Sequence, residues 1–316
     1  MTPLQRYIAE EIATDHLDGL LSRREALRRL ALLGLSTAAA TAVIAACSER
    51  EQNGPAQNTA ENTAQNTTNT AGPPSGTSQP PAEPPGMQTA LPTAAVTWAG
   101  PNGELQGAWA EAPDARGAVL VIHENKGLTD HIRSVAGRFA GIGYSALAVD
   151  LLSGQGGTGQ FADPADATAA LSKIPPEEFV ANLRSGIDEL SRRAPDRRLA
   201  AVGFCMGGGL VWRLLAAGTP QLAAAVPFYG PTPDDPDFSG SKSVAVLAFY
   251  GALDQRVNAT EPVARAALEK AGLVHELVTE PGANHAFFND TGDRYDPTAA
   301  ADAWRRIQEW FTAHLA

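Results

Sequence analysis

Hydrophobic residues fall along this 316-residue chain in three regimes. Leu30 to Ala46 is a run of apolar and small residues. From Ser48 to about Leu91 large apolar residues nearly vanish, and Asn, Thr, Gln, Ala, Pro and Gly take over. From about Pro92 onward, short apolar runs of strand length alternate with stretches whose apolar positions recur at helical spacing. The middle regime buries too little to offset the entropy of ordering, so it is expected to stay a disordered tether. Its repeated Gln-Asn-Thr pieces are low-complexity sequence, not structural repeats. The pattern divides the chain into a leader over 1–47, a tether over 48–91 and a folded domain over 92–316.

In the third regime, Ala95–Trp98 and Leu105–Trp109 flank Pro101-Asn102-Gly103, which predicts a hairpin. The continuous apolar run Ala118–His123 reads as a strand covered on both faces, and Tyr144–Val149, Leu199–Gly203, Ala223–Tyr229, Val244–Tyr250 and the shorter Glu276–Val278 read as further strands. Helices are predicted over about Ile132–Gly141, Pro176–Arg192, Leu210–Ala217, Glu261–Ala271 and Ala299–Leu315. This alternation predicts an α/β domain, a mostly parallel sheet with helices on both faces. The glycine-rich stretch Gly154–Gly159 lacks the lysine and spacing of a phosphate loop and is expected to be a mobile surface segment.

One junction carries chemistry. The strand-like run ends in Gly203-Phe204-Cys205-Met206-Gly207, and a helix-like run follows at once. This is the Gly-x-Ser-x-Gly nucleophile elbow with sulfur in place of oxygen. Flanking glycines let neighbouring segments approach, and the following helix points its positive end at the sulfur, favouring thiolate. In an α/β-hydrolase fold, the acid and then the histidine follow the nucleophile along the chain. Asp254 stands just past the apolar run Phe249-Tyr250 and a glycine, whereas Asp234, Asp235 and Asp237 lie in a Pro-rich loop. His285 follows the turn Pro281-Gly282-Ala283-Asn284 and precedes aromatics. His16 lies in the leader, His131 and His275 start or flank regular elements, and His314 is at the tail. Only His123 and His285 fall at strand-end loops. Cys205, Asp254 and His285 are therefore the candidate catalytic residues.

Charge and cysteine count narrow the alternatives. A net charge of −11 provides no basic stripe for phosphates, so no nucleic-acid partner is expected. Two cysteines, Cys47 and Cys205, have different roles in this reading, and no disulfide is expected. Without a Cys-x-x-Cys pair, Cys205 has no resolving partner for redox work. No His-Glu-x-x-His or cysteine–histidine cluster is present, so neither metal nor other cofactor is expected.

Gly203–Gly208, Gly251-Ala252-Leu253-Asp254 and Gly282–Phe288, together with Ile122-His123-Glu124-Asn125-Lys126-Gly127-Leu128, resemble the dienelactone hydrolase (carboxymethylenebutenolidase) family from about Val96 to Leu315. The resemblance implies a hydrolase of small carboxylic esters or lactones with a cysteine nucleophile. It implies that Glu124 contacts the resting thiol, and that the backbone N–H groups of Met206 and Asn125 form the oxyanion hole. The family holds its substrate's carboxylate with two arginines. At the corresponding positions this chain has Gly154 and Asn289, with Arg294 nearby but out of place. Losing both removes a bidentate clamp, so a neutral substrate is expected. The alternative is a non-catalytic exported protein that uses the fold for binding, but it has no need of the full residue set.

The leader resembles a bacterial export signal. Ser22-Arg23-Arg24-Glu25 before the apolar run is similar to a twin-arginine signal, whose pathway carries folded proteins. Ile44-Ala45-Ala46-Cys47 is similar to a lipoprotein cleavage box, implying a cut before Cys47 and a lipid on its sulfur. The alternative is an uncleaved signal anchor. Either reading tethers the chain to a membrane outside the cytoplasm.

Overall fold

The computed structural model describes residues 1–52 and 83–315, so most of the expected tether lies outside the described residues. By contact the described chain forms two units. One joins Met1–Ile8 to the chain from Pro84 onward, and the other begins at Ala9. The leader is helical as α1 (Pro3–Leu17), α2 (Arg23–Leu32) and α3 (Thr37–Gln52). Ser22 caps α2 by accepting the Glu25 N–H, and Glu25 pairs with Arg28 and Arg29, whose hydrogen bonds hold its carboxyl at about 2. Among the described residues no single helix is long and apolar enough to cross a membrane. The pair Arg23–Leu32 and Thr37–Glu49 reaches that composition only with a 120° bend between its halves.

The larger unit holds an eight-stranded sheet in the order β1-β2-β4-β3-β5-β6-β7-β8. The strands are β1 (Ala94–Gly100), β2 (Gly103–Ala110), β3 (Gly117–Ile122), β4 (Tyr144–Asp150), β5 (Leu199–Phe204), β6 (Leu222–Phe228), β7 (Ala245–Gly251) and β8 (His275–Glu280). The expected hairpin forms, with Gly100 opposite Gly103 across the turn. β2 runs antiparallel to both of its neighbours, β1 and β4, and every other neighbouring pair is parallel. β3, β4, β5 and β7 are buried along their whole length, as apolar runs without alternation require.

The helices are α4 (Asp130–Gly141), α5 (Pro164–Leu171), α6 (Pro176–Arg193), α7 (Met206–Ala216), α8 (Gln255–Asn258), α9 (Glu261–Ala271) and α10 (Pro297–His314). β3 connects through α4 to β4 on one side, whereas β4 connects back through α6 to β5 on the other. Right-handed crossovers running in opposite directions put α4 and α6 on opposite faces. Phe139 of α4 stacks near Trp304 and Phe311 of α10, at 5.0 and 5.8 Å between ring centres, so α4 and α10 share one layer. The neighbouring strands β3 and β5 thus send their connections opposite ways, and the crevice at their C-terminal ends is where an open α/β sheet binds its ligands.

Two elements depart from the sequence pattern. α5 was not foreseen. Its stripe is mostly alanine, which barely registers as periodic, and Asp163 starts it by accepting the Ala165 N–H ahead of Pro164. α7 begins at Met206 rather than Leu210, because Gly207–Gly209 are helical where the turn packs against neighbouring backbone. Pro84–Leu91, counted with the tether by composition, belongs to the larger unit, and the Leu91 N–H donates to the Gly137 carbonyl at 2.9 Å. Gly154–Gly159 is anchored: Asp150 accepts the Thr158 N–H at 2.7 Å and its hydroxyl at 2.8 Å, and Thr158 Oγ1 accepts the Leu128 N–H.

Candidate active site

The elbow is built from backbone. Cys205 sits between β5 and α7 with φ 55° and ψ −117°, a left-handed conformation that a non-glycine residue holds only when its surroundings over-determine it. Its N–H donates to the Phe228 carbonyl of β6 at 3.1 Å, and its own carbonyl accepts from the Gly209 N–H of the first α7 turn. A Cβ on Gly203 would lie 2.1 Å from the Gly207 carbonyl oxygen, and one on Gly207 would lie 2.3 Å from the Ile122 carbonyl oxygen at the end of β3. The turn thus abuts the backbone on both sides, with the thiol at the positive end of an eleven-residue helix.

The acid and the histidine arrive on loops after β7 and β8. Asp254 caps α8 by accepting the Val257 N–H, while its Oδ2 lies 2.6 Å from His285 Nδ1. Burial opposes the charge on Asp254, but the facing His285 and its hydrogen bond, helped by Arg256, hold its pKa below the ordinary carboxylate value. With Nδ1 engaged by Asp254, Nε2 is the ring nitrogen directed away from the acid, and it is buried. A His285 ring nitrogen and the Cys205 sulfur lie within 4.8 Å of each other. The Asn284 side chain accepts the His285 N–H at 2.7 Å, and Tyr229 meets the imidazole edge-on at 5.1 Å.

The segment after β3 supplies the third wall. His123 is wholly buried and donates from Nδ1 to the Glu124 carbonyl at 2.6 Å, while its Nε2 accepts the Leu151 N–H at 3.1 Å. Accepting at Nε2 makes the ring neutral, and burial lowers its pKa accordingly. Because the peptide is planar and trans, holding the Glu124 carbonyl aims the Asn125 N–H the opposite way. Thr168 of α5 donates to the Asn125 carbonyl at 2.8 Å and fixes the next peptide. His123 and α5 therefore set the orientation of the expected oxyanion-hole donor at Asn125. The Glu124 carboxylate accepts from the Asn289 side-chain amide at 2.6 Å, and Asn289 Oδ1 takes the Thr291 N–H and hydroxyl. The position expected to carry an arginine is thus filled by a neutral amide that ties the Glu124 segment to the histidine loop.

Asp290, next along that loop, faces a buried pair on α4. His131 Nδ1 and Arg138 Nη2 lie 2.6 and 2.7 Å from its two oxygens. Burial penalises the charge, but the His131 and Arg138 contacts outweigh it and hold the Asp290 carboxyl at about 2. His131 had been set aside as a residue at a helix start; it works as an anchor for the loop that carries His285. A neighbour of the thiol that no motif announced is Tyr7, whose hydroxyl lies 3.3 Å from Cys205 Sγ.

A parallel sheet with a strained turn at its switch point, followed by an acid and a histidine on later strand ends, defines an α/β hydrolase. The chain belongs to the dienelactone hydrolase family, which residues 105–315 match. It is 34% identical over 237 residues to a Salmonella typhimurium protein provisionally named a carboxymethylenebutenolidase, covering 70% of this chain and 87% of that one. A similarly named protein from Escherichia coli O157:H7 is 35% identical over 205 residues, 61% of this chain and 75% of its own length. Among solved structures, a Klebsiella pneumoniae protein provisionally named a dienelactone hydrolase superposes with a TM-score of 0.60 at 31% identity, covering 70% of this chain and 99% of that one. A dienelactone hydrolase-like promiscuous phosphotriesterase from metagenomic libraries shares the fold, with a TM-score of 0.64 at 24% identity over 72% of this chain and all of its own. The protein is a carboxylic ester hydrolase of this family.

Proposed function

We propose that this hydrolase uses Cys205 as its nucleophile and prefers neutral esters or lactones. The observation that carries the reading is the left-handed Cys205 at the start of α7, with a histidine held 2.6 Å from a buried aspartate beside it. His285 takes the thiol proton at Nε2, giving a thiolate–imidazolium pair, and Asp254 fixes the tautomer through Nδ1. The thiolate adds to the substrate carbonyl, and the oxyanion is received by the Met206 and Asn125 N–H groups. Collapse breaks the C–O bond, and the departing alkoxide takes the proton from His285. Water, deprotonated by His285, then cleaves the thioester and returns the thiol. Glu124, whose carboxylate accepts from Asn289, is the acid that this reading assigns as auxiliary to the thiol.

The neutral preference follows from charge. Asn289 offers no cation, and Gly154 offers no side chain. Purified enzyme is therefore expected to favour a neutral lactone over its carboxylate-bearing analogue, and Cys205→Ala or His285→Ala is expected to lose on the order of 10⁶-fold in kcat. Equal turnover by Cys205→Ala would remove the thiol from the mechanism, and a strong preference for the anionic lactone would overturn the specificity.

Export belongs to the same proposal. The arginine pair at Arg23-Arg24 and the box ending at Cys47 support transport in the folded state, cleavage before Cys47 and a lipid anchor. Arg23→Lys with Arg24→Lys is expected to leave the precursor in the cytoplasm, and Cys47→Ala to release the protein from the membrane fraction.

A further inference from the structure

Residues Met1–Ile8 belong to the same unit as the catalytic strands, and they reach the nucleophile. Tyr7 is 8% exposed and Ile8 wholly buried. The Tyr7 oxygen lies 3.3 Å from Cys205 Sγ, and the Arg256 guanidinium carbon stands 4.4 Å from the centre of the Tyr7 ring. A carbonyl about to be attacked must stand about 3–3.5 Å from the nucleophile. The tyrosine oxygen already occupies that distance, so Tyr7 and a substrate's reacting group cannot be present together.

The occupant has a definite chemistry. It is a phenol whose oxygen faces the sulfur and whose ring is covered by a guanidinium. In an aryl ester attacked at its carbonyl, the aryl oxygen is one bond from the attacked carbon, and the ring lies directly behind it. Arg256 follows Asp254 by two residues, so the helix that positions the acid also positions this cation. A guanidinium over the ring attracts its π-face and stabilises the negative charge that grows on a departing aryloxide.

We propose that Cys205 and Arg256 form a seat for the phenolic part of an aryl ester, and that Tyr7 fills this seat in the resting chain until substrate displaces it. The inference rests on reading Cys205 as the nucleophile. In the reaction, the S–C bond forms as the C–O(aryl) bond breaks. The aryloxide takes the His285 proton and leaves as a phenol, and water then hydrolyses the thioester. The contact also accounts for the resting state, since the Tyr7 hydroxyl 3.3 Å from the sulfur stands where a carbonyl would have to be attacked. If the chain is exported folded and cut before Cys47, the occupant leaves with the leader.

The test uses the full-length chain carrying Cys47→Ala, so that alkylation by iodoacetamide reports Cys205 alone, read by mass spectrometry of its peptide. Reactivity scales with the fraction of chains in which the seat is open, so Tyr7→Ala is expected to speed alkylation about tenfold or more. Tyr7→Phe, which keeps the ring, should fall between the two. In the Tyr7→Ala background phenol should slow alkylation, cyclohexanol at the same concentration should not, and Arg256→Ala should abolish the phenol effect. KM for phenyl acetate should fall in Tyr7→Ala with kcat unchanged. An alkylation rate unmoved by Tyr7→Ala would overturn the occupant, and equal protection by phenol and cyclohexanol would overturn the aryl seat. If phenol protects through Arg256 but no ester is turned over, the seat stands and the hydrolytic role of Cys205 fails. Thermal melts of each variant separate these effects from misfolding.

Discussion

The elbow and the histidine loop both deliver a side chain to the same crevice, and they are held by opposite means. At the elbow, backbone packs against backbone: Gly203 meets Gly207, Gly207 meets the end of β3, and the Cys205 amide is bound by β6. In the histidine loop, charged and polar side chains do the holding. Asp254 grips His285, Asn289 grips Glu124, and Asp290 is buried against Arg138 and His131. Close backbone contact demands glycine at fixed positions and so leaves a motif. A buried ionic contact between residues 152 apart demands only complementary charges, and leaves none.

The sharpest way to break this comparison is a methyl group at the elbow. Gly207→Ala would place Cβ against the Ile122 and His123 carbonyls, with no flexible atom to move aside. It is expected to cost more than about 4 kcal/mol and to yield little folded protein. Gly154→Ala meets nothing within 4 Å and is expected to stay within about 0.5 kcal/mol of the parent in thermal melts. A comparable loss at both positions would deny the elbow its special status.

Asp290→Asn is the matching test of the histidine loop. It leaves Arg138 buried beside a neutral group, and the expected loss is about 3–5 kcal/mol, measured by urea unfolding at neutral pH. The sign with pH follows from the depressed carboxyl. Held at about 2 and ordinarily near 3.8, Asp290 contributes stability that is complete above the ordinary value and disappears as pH falls toward 2. The Asn variant should lack that part of the acid limb. A milder change is Asn289→Asp, which replaces the donating amide with a carboxylate against Glu124 and is expected to cost about 1–3 kcal/mol in urea unfolding at neutral pH.

The smallest expected effect lies at the strand end that leads into the loop. Burial, reinforced by Asp302 and opposed by Arg306, raises the Glu280 carboxyl to about 7. The folded chain therefore keeps a proton that the unfolded chain loses near 4.5, and stability declines as pH rises from there to about 7. Glu280→Gln is expected to flatten that decline and raise the melting temperature at pH 8 by roughly 2–5 °C, with little change at pH 4.5. A melting temperature that does not depend on this substitution across the pH range would show that the carboxyl is solvated.

The chain order of the candidate residues Cys205, Asp254 and His285 was legible because each signal is local. Gly203–Gly207 announces a strand ending at a helix, and Asp254 and His285 each follow an apolar run and a turn. The central strands were legible for the same reason, since full burial writes itself as unbroken apolar sequence. α5 was not, because alanine carries little periodic signal, yet Thr168 on that helix fixes Asn125. The true start of α7 was hidden by three glycines that lower helix propensity and are helical only through packing.

By itself the sequence determined the sheet-and-helix alternation, the elbow and the residues facing it, because each is dictated by burial or turn geometry within a few neighbouring positions. Only the tertiary structure decided that His123 orients the Asn125 peptide, that Asn289 meets Glu124, that Asp290 moors the histidine loop to α4, and that Tyr7 reaches the thiol from the far end of the chain. Those contacts join residues that no pattern links, and they exist only once the fold has brought complementary groups within hydrogen-bonding distance.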